Sequence, residues 1–145
     1  MTARNFLTKE EQAQIVDAIK QAENKTSGEI RVHLENSCKG DALDRAANLF
    51  AKLDMHKAAL RNGVLIYLSI DDHKFCIIGD AGITEKVAEN FWKDITDSAI
   101  ALFKEGKFTE GLITAITMSG DALKADFPVA DDDVNELPDE ISFGD

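Results

Sequence analysis

Only two cysteines, Cys38 and Cys76, occur in the 145 residues. No framework of paired cysteines is possible at that count, which argues against a small cross-linked secreted domain and fits a reducing compartment. Glycine and proline are sparse, at nine and two residues, and no low-complexity tract or internal repeat occurs. No apolar run is long enough to span a bilayer, and the N-terminal stretch MTARNFLTKEEQ lacks the apolar core of a signal peptide. A cytoplasmic location without membrane insertion is the expectation. Basic residues are in deficit: 16 Lys and Arg stand against 27 Asp and Glu, for a net charge of −11. Such a surface repels nucleic acid and anionic membranes. It suits cations, basic partners or plain solubility.

What is present points to one globular α/β domain. The length fits a single core, and 44% of residues are hydrophobic. The longest apolar run, Val64 to Ile70, is followed by Asp71-Asp72-His73 and a second run, Phe75 to Ile78. Two such runs joined by three polar residues read as a β-hairpin. Both are apolar at successive positions, so both faces of their sheet should be covered. Asn62-Gly63 and Gly79-Asp80-Ala81-Gly82 supply turns at the outer ends.

The flanking segments complete the pattern. Thr8 to Lys25 reads as a helix with a Thr8/Glu11 capping box and an apolar stripe of Ile15, Ala18, Ile19 and Ala22. Glu29 to Asn36 alternates: Ile30, Val32 and Leu34 face one way, and Glu29, Arg31, His33 and Glu35 the other. That is the signature of a half-buried strand near an edge. Asp41 to His56 reads as a second helix with Asp41 as N-cap. Strand, helix and hairpin in succession predict a βαβ unit with parallel first and second strands, an antiparallel third, and the sheet order 1-2-3. Thr84 to Gly106 carries a long helical pattern, bent near Thr96, with Gly106 as its C′ residue. Thr109 to Ala125 is the last helix, stopped at Phe127-Pro128. The expected fold is a three-layer α/β/α sandwich over residues 1–128, its small mixed sheet flanked by helices. Residues 129–145 form an acidic tail that Val134, Leu137, Ile141 and Phe143 would partly dock.

In a βαβ arrangement the C-terminal ends of the parallel strands open onto one crevice, where ligands collect. The first strand ends at Glu35-Asn36-Ser37, the second at Asp71-Asp72, and the second helix starts at Asp41 and Asp44. Glu35, Asp41, Asp44, Asp71 and Asp72 are therefore the expected ligands of a hard divalent cation, Ca²⁺ ahead of Mg²⁺. The plain alternative is that Asp71-Asp72 only form the turn and Asp41 only caps a helix. Other constellations are weaker. Asp131, Asp132 and Asp133 are consecutive, without the alternate spacing and glycine of an EF-hand. Gly79-Asp80-Ala81-Gly82 is too short for a phosphate-binding fingerprint. His33, His56 and His73 lack any metal-binding spacing. Cys38 has no evident activating base, Cys76 reads as a buried hydrophobe, and Ser37 belongs to no recognisable triad.

Several short motifs, in order and spacing, resemble the TPM domain, the family named for a thylakoid lumen protein, a photosystem II-associated protein and a worm receptor auxiliary protein. They are Thr26-Ser27-Gly28-Glu29-Ile30, Arg45-Ala46 with Phe50, Arg61-Asn62-Gly63-Val64-Leu65-Ile66, Ile77-Ile78-Gly79-Asp80-Ala81-Gly82-Ile83, Phe91-Trp92 and Phe103. Asn135-Glu136-Leu137-Pro138-Asp139-Glu140-Ile141 matches the tail of the stand-alone bacterial branch. The resemblance implies a compact α/β sandwich with its ligand site among loops at one end of the sheet, best matched here by Asp71-Asp72. A plant relative is described as a calcium-binding acid phosphatase. Three functions follow as expectations: a divalent-cation-binding domain, a metal-assisted phosphatase, and a non-enzymatic module for a protein partner, including a membrane-associated one. A monomer is expected.

Overall fold

A computed structural model describes residues 2–88, 90–129 and 139–144. Among them a four-stranded sheet with the order β3-β2-β1-β4 forms the middle layer. Strand β1 (Glu29–Glu35) pairs in parallel with β2 (Gly63–Ser69), and β2 pairs antiparallel with β3 (Lys74–Gly79). The expected sheet order of the first three strands therefore holds. The fourth strand, β4 (Ser142–Phe143), runs parallel to β1 from the acidic tail. It is the docking expected of Phe143, in the form of strand addition. The residues expected to dock at Val134 and Leu137, like the acids Asp131, Asp132 and Asp133, lie outside the described residues.

Alternation along the strands builds two cores. Ile30, Val32, Leu34, Val64, Ile66 and Leu68 face helices α2 (Lys9–Glu23), α5 (Lys93–Lys104) and α6 (Phe108–Leu123). Leu65, Tyr67 and Cys76 face α3 (Ala42–Lys52) with Ala46, Leu49 and Phe50. Because β2 lies between two helical layers, all seven of its residues are buried, as its unbroken apolar run requires. The capping box forms as expected: Glu11 N–H donates to Thr8 Oγ1 at 3.1 Å, and Thr8 N–H to the Glu11 carboxylate at 3.0 Å. Gly106 (φ +78°) closes α5, with Lys107 N–H donating to Leu102 O and Gly106 N–H to Phe103 O, the two bonds of a Schellman end.

Two local expectations are corrected. The pattern from Thr84 is not one helix: α4 (Ala81–Thr84) ends there, and α5 starts at Lys93. Phe91 and Trp92 instead meet edge to face at 4.7 Å, and Trp92 packs where a Cβ on Gly79 would lie within 3.1 Å of its ring. Apolar residues at helical spacing were thus used for irregular packing over the sheet edge. Secondly, β1 is no half-exposed edge strand: its polar members Glu29, His33 and Glu35 are 4%, 2% and 2% exposed. Helix α3 and the tail segment 139–144 close over that face. Cys38, in the polar loop after β1, is buried. A short helix, α1 (Ala3–Phe6), precedes α2, and its Ala3 N–H donates to Asn36 Oδ1 at 2.5 Å.

Candidate functional site

The parallel register places the last residues of β1 and β2, Glu35 and Ser69, side by side. The ladder runs on past both: Ile70 N–H donates to Glu35 O and Asp71 N–H to Asn36 O, each at 2.9 Å. The hairpin tip at residues 70–73 and the loop at residues 36–41 are thereby zipped together at one end of the sheet. This is the juxtaposition expected from the βαβ connection.

Side chains then shape the loop. The Asp72 carboxylate accepts the Cys38 N–H and, at 3.4 Å, the Ser69 hydroxyl. Lys74 Nζ donates to two loop carbonyls, Cys38 O at 2.9 Å and Gly40 O at 2.7 Å. Gly40 adopts φ +89° and His73 φ +54°, so both turns use left-handed backbone, which glycine accepts freely. Asp41 caps α3 by accepting the Leu43 N–H at 2.7 Å; one of that helix's N-terminal donors is thus already taken. Asp44 lies exposed in the first turn of α3, and Asp71 and Asp72 are exposed on the tip.

Glu35 is placed apart from these acids. Its carboxylate turns onto the α3 face and receives Arg45 Nε at 3.1 and 3.0 Å, Arg45 Nη2 at 2.5 Å and the Tyr67 hydroxyl at 2.5 Å. Burial acts to raise its pKa, yet the bonds from Arg45 and Tyr67 outweigh burial and hold it below the usual carboxylate value. Glu35 is an internal anion fully engaged by a guanidinium and a phenol. His33 lies beside it, with Nδ1 2.9 Å from Ser142 Oγ of β4. Its Nε2 is buried without a hydrogen-bond partner among the described residues, 3.7 Å from Glu35 Oε1. Burial lowers the His33 pKa despite that carboxylate. Gly144 seals the cluster from above: a Cβ there would lie 2.5 Å from Glu35 Oε1 and 2.9 Å from His33 Nε2.

The five acids expected to share one cation therefore do not form one cluster. Among the described residues no group of three or more His, Cys, Asp or Glu side chains is placed to hold a metal ion. Asp71, Asp72 and Asp41 stay with the loop, Asp44 points outward from α3, and Glu35 is committed beneath. The residues that sequence reasoning missed are Lys74, Arg45 and Tyr67. Lys74 follows the tip directly in sequence, but a lysine after a turn carries no signal that it gathers carbonyls 34 and 36 residues away. Burial, with Cys38 and Asp41 nearby, pushes the Cys76 thiol up to about 12, so it is an inert core group.

The Gly79-to-Gly82 turn is structural. Asp80 caps α4 through the Ala81 N–H at 2.7 Å and accepts Arg61 Nε at 2.7 Å and Nη2 at 2.9 Å. Asn62 donates to Ser27 O at 3.1 Å. The motifs at residues 26–30, 61–66 and 77–83 thus meet at the end of the sheet opposite the loop. No helix among the described residues is long and apolar enough to cross a membrane.

Solved structures share this architecture. The BA42 protein from the psychrophilic bacterium Bizionia argentinensis is 47% identical, with 96% of each chain covered and a TM-score of 0.91. The N-terminal domain of a P. gingivalis protein superposes with a TM-score of 0.67 at 19% identity, over 83% of this chain and 78% of that one. The N-terminal domain of cg2496 from Corynebacterium glutamicum gives 0.67 at 11% identity, over 87% and 80%. These last two support the fold alone. No curated protein matches in sequence. The family model described as the TPM domain matches residues 1–122. With that match across most of the described fold, the chain belongs to the TPM domain family.

Proposed function

We propose that the loop at residues 36–41 and the hairpin tip bind a divalent cation, with Ca²⁺ preferred over Mg²⁺. The observation that carries this reading is the position of the Lys74 ammonium. Two main-chain carbonyls, of Cys38 and Gly40, converge on that one cationic atom at 2.9 and 2.7 Å. The Asp72 carboxylate braces the same loop through the Cys38 N–H, and Asp71 and Asp41 stand at its rim. Carbonyls and carboxylates are the oxygen donors that Ca²⁺ collects, in flexible sets of six to eight that include water. Mg²⁺ demands a stricter octahedron, which two converging loop carbonyls alone do not prepare. Glu35 contributes no ligand in this reading, because Arg45 and Tyr67 occupy its oxygens.

The test is a Ca²⁺ titration followed by backbone amide NMR shifts. Saturable shifts confined to residues 36–41 and 70–74 are expected at millimolar Ca²⁺, weakened in Asp72→Asn and Asp71→Asn. Lys74→Met removes the competing ammonium and should tighten binding. Unmoved amides in that region, or looser binding in Lys74→Met, would reject the site. Turnover of p-nitrophenyl phosphate that depended on Asp71 and Asp72 would extend the reading to a metal-assisted phosphatase. Ca²⁺ binding without turnover would leave a binding domain.

A further inference from the structure

From the opposite face of the sheet, we infer a second binding site, for a small ligand with a ring-sized apolar body and one carboxylate. A cavity of about 210 Å³ opens between the hairpin tip and the α5–α6 pair. Its apolar walls include Leu68, Phe75, Phe103 and Phe108, and its polar rim is formed by His73 and Lys104. Leu68 and Phe75 belong to the core on the α2/α5/α6 side, whereas Cys38 belongs to the α3 side. The cavity is thus separate from the loop carbonyls held by Lys74.

The walls are built rather than accidental. Phe75 meets Phe103 edge to face at 5.0 Å, and Phe103 stacks on Phe108 at 5.5 Å and 16°. Phe108 in turn meets Phe6 in a T-shaped contact at 5.0 Å. Gly111 permits this: a Cβ there would collide with the Phe103 ring, 2.7 Å from Cδ1. The three wall phenylalanines remain only partly buried, so their rings still present apolar surface to the opening. An apolar protein cavity of roughly 150 Å³ is large enough to take up benzene, so this one has room for a ring and a short chain.

Charge selects the headgroup. The cavity lining contains no Asp or Glu, in a chain of net charge −11. Lys104 makes no ion pair among the described residues, while the neighbouring Glu105 is turned to Lys107 at 3.8 Å. A single ammonium at the mouth of an apolar pocket, with an imidazole beside it, matches an amphipathic monoanion. A cationic or zwitterionic ligand would place its positive charge against Lys104.

The probes are 3-phenylpropionate, 3-phenylpropanamide and 3-phenylpropylamine, titrated into the full chain and followed by amide NMR. The acid should saturate with shifts confined to residues 68, 73–75 and 100–111. Its Kd should be about fivefold below that of the amide, as one partly exposed ion pair allows, and the amine should bind weakest. In Lys104→Gln, an exposed substitution, the acid should fall to the level of the amide while the amide is unchanged. The inference is overturned if the amine equals the acid, if Lys104→Gln keeps the preference, or if no probe saturates. It is overturned equally if ligand-free protein shows concentration-dependent shifts at these residues together with a dimer in sedimentation, which would mean that a second copy covers the cavity.

Discussion

The Tyr67 hydroxyl donates to Glu35 Oε2 at 2.5 Å, diagonally across the β1–β2 pair, since Tyr67 stands opposite His33 in the register. Both side chains are almost wholly out of water, at 0% and 2% exposure. A buried carboxylate persists only when its oxygens are matched, and here a phenol and a guanidinium do so together. Tyr67→Phe keeps the packing and removes one donor. It should cost about 1–3 kcal/mol of unfolding free energy, the range for leaving a buried group short of a bond. Arg45→Met should cost at least as much, because it strips the counter-charge and leaves a buried anion. Urea unfolding of both variants is the measurement, and a change below about 0.5 kcal/mol in both would show that Glu35 is solvated.

His33 and Glu35 give stability an acid-side dependence. Burial lowers the folded His33 pKa, and Arg45 with Tyr67 keeps that of Glu35 low against its burial. For both groups the unfolded chain binds protons first as pH falls. Their contributions are complete above the unfolded values, about 6.5 and 4.3, and are lost as pH drops through the folded ones. The urea midpoint should therefore fall from about pH 6.5 downward, and His33→Gln should flatten the upper part of that fall.

Glu23 works in the opposite sense. Burial raises its pKa, reinforced by a hydrogen bond with Asp139 and by the charge of Glu29, although the Ile30 N–H bond at 3.0 Å opposes the shift. A raised folded pKa favours folding below the unfolded value of about 4.3 and loses that advantage as pH climbs through the folded value. Glu23→Gln keeps an oxygen for Ile30 and removes the charge. It should stabilise the protein more at pH 8 than at pH 5. Identical pH profiles for Glu23→Gln and wild type would contradict the shift.

Gly82 is required by space. A Cβ there would strike the carbonyl of Leu60 and lie 2.6 Å from Arg61 O, and both are main-chain atoms that side-chain adjustment cannot move. Gly82 N–H also donates to Arg61 O at 2.8 Å. Gly82→Ala should cost about 2 kcal/mol or more, as forced overpacking does, read as a lowered thermal midpoint. Gly40→Ala makes a useful comparison. No atom lies within 4 Å of its added Cβ, so only backbone strain at φ +89° is tested.

Local patterns were enough for much of the framework. The Thr8/Glu11 box, the Asp41 cap, the Gly106 terminus and the β2–β3 hairpin each depend on residues a few positions apart, and the chemistry of such short intervals is read from sequence directly. The zipped end of the sheet was legible too, because parallel strands joined by a helix must bring Glu35–Asn36 beside Ser69–Asp71. What could not be read is where individual side chains spend their bonds. Glu35 and Asp72 look alike as acids at strand ends. One is taken by Arg45 and Tyr67, the other by the Cys38 N–H.

The sequence by itself determined the types of the main elements (α2, α3, α6 and β1 to β3), the parallel β1–β2 pairing and the acidic rim, since hydrophobic period, caps and turns act over one to four residues. Tertiary structure alone decided that most of the polar face of β1 is buried, that residues 85–88 and 90–92 leave the helix, and that Ser142–Phe143 return as a strand. It also decided that Lys74 gathers the loop carbonyls and that three phenylalanines surround a cavity. Those outcomes depend on groups distant in the chain competing for the same space and the same hydrogen bonds. That competition is settled only when the two helical layers and the tail close on the sheet.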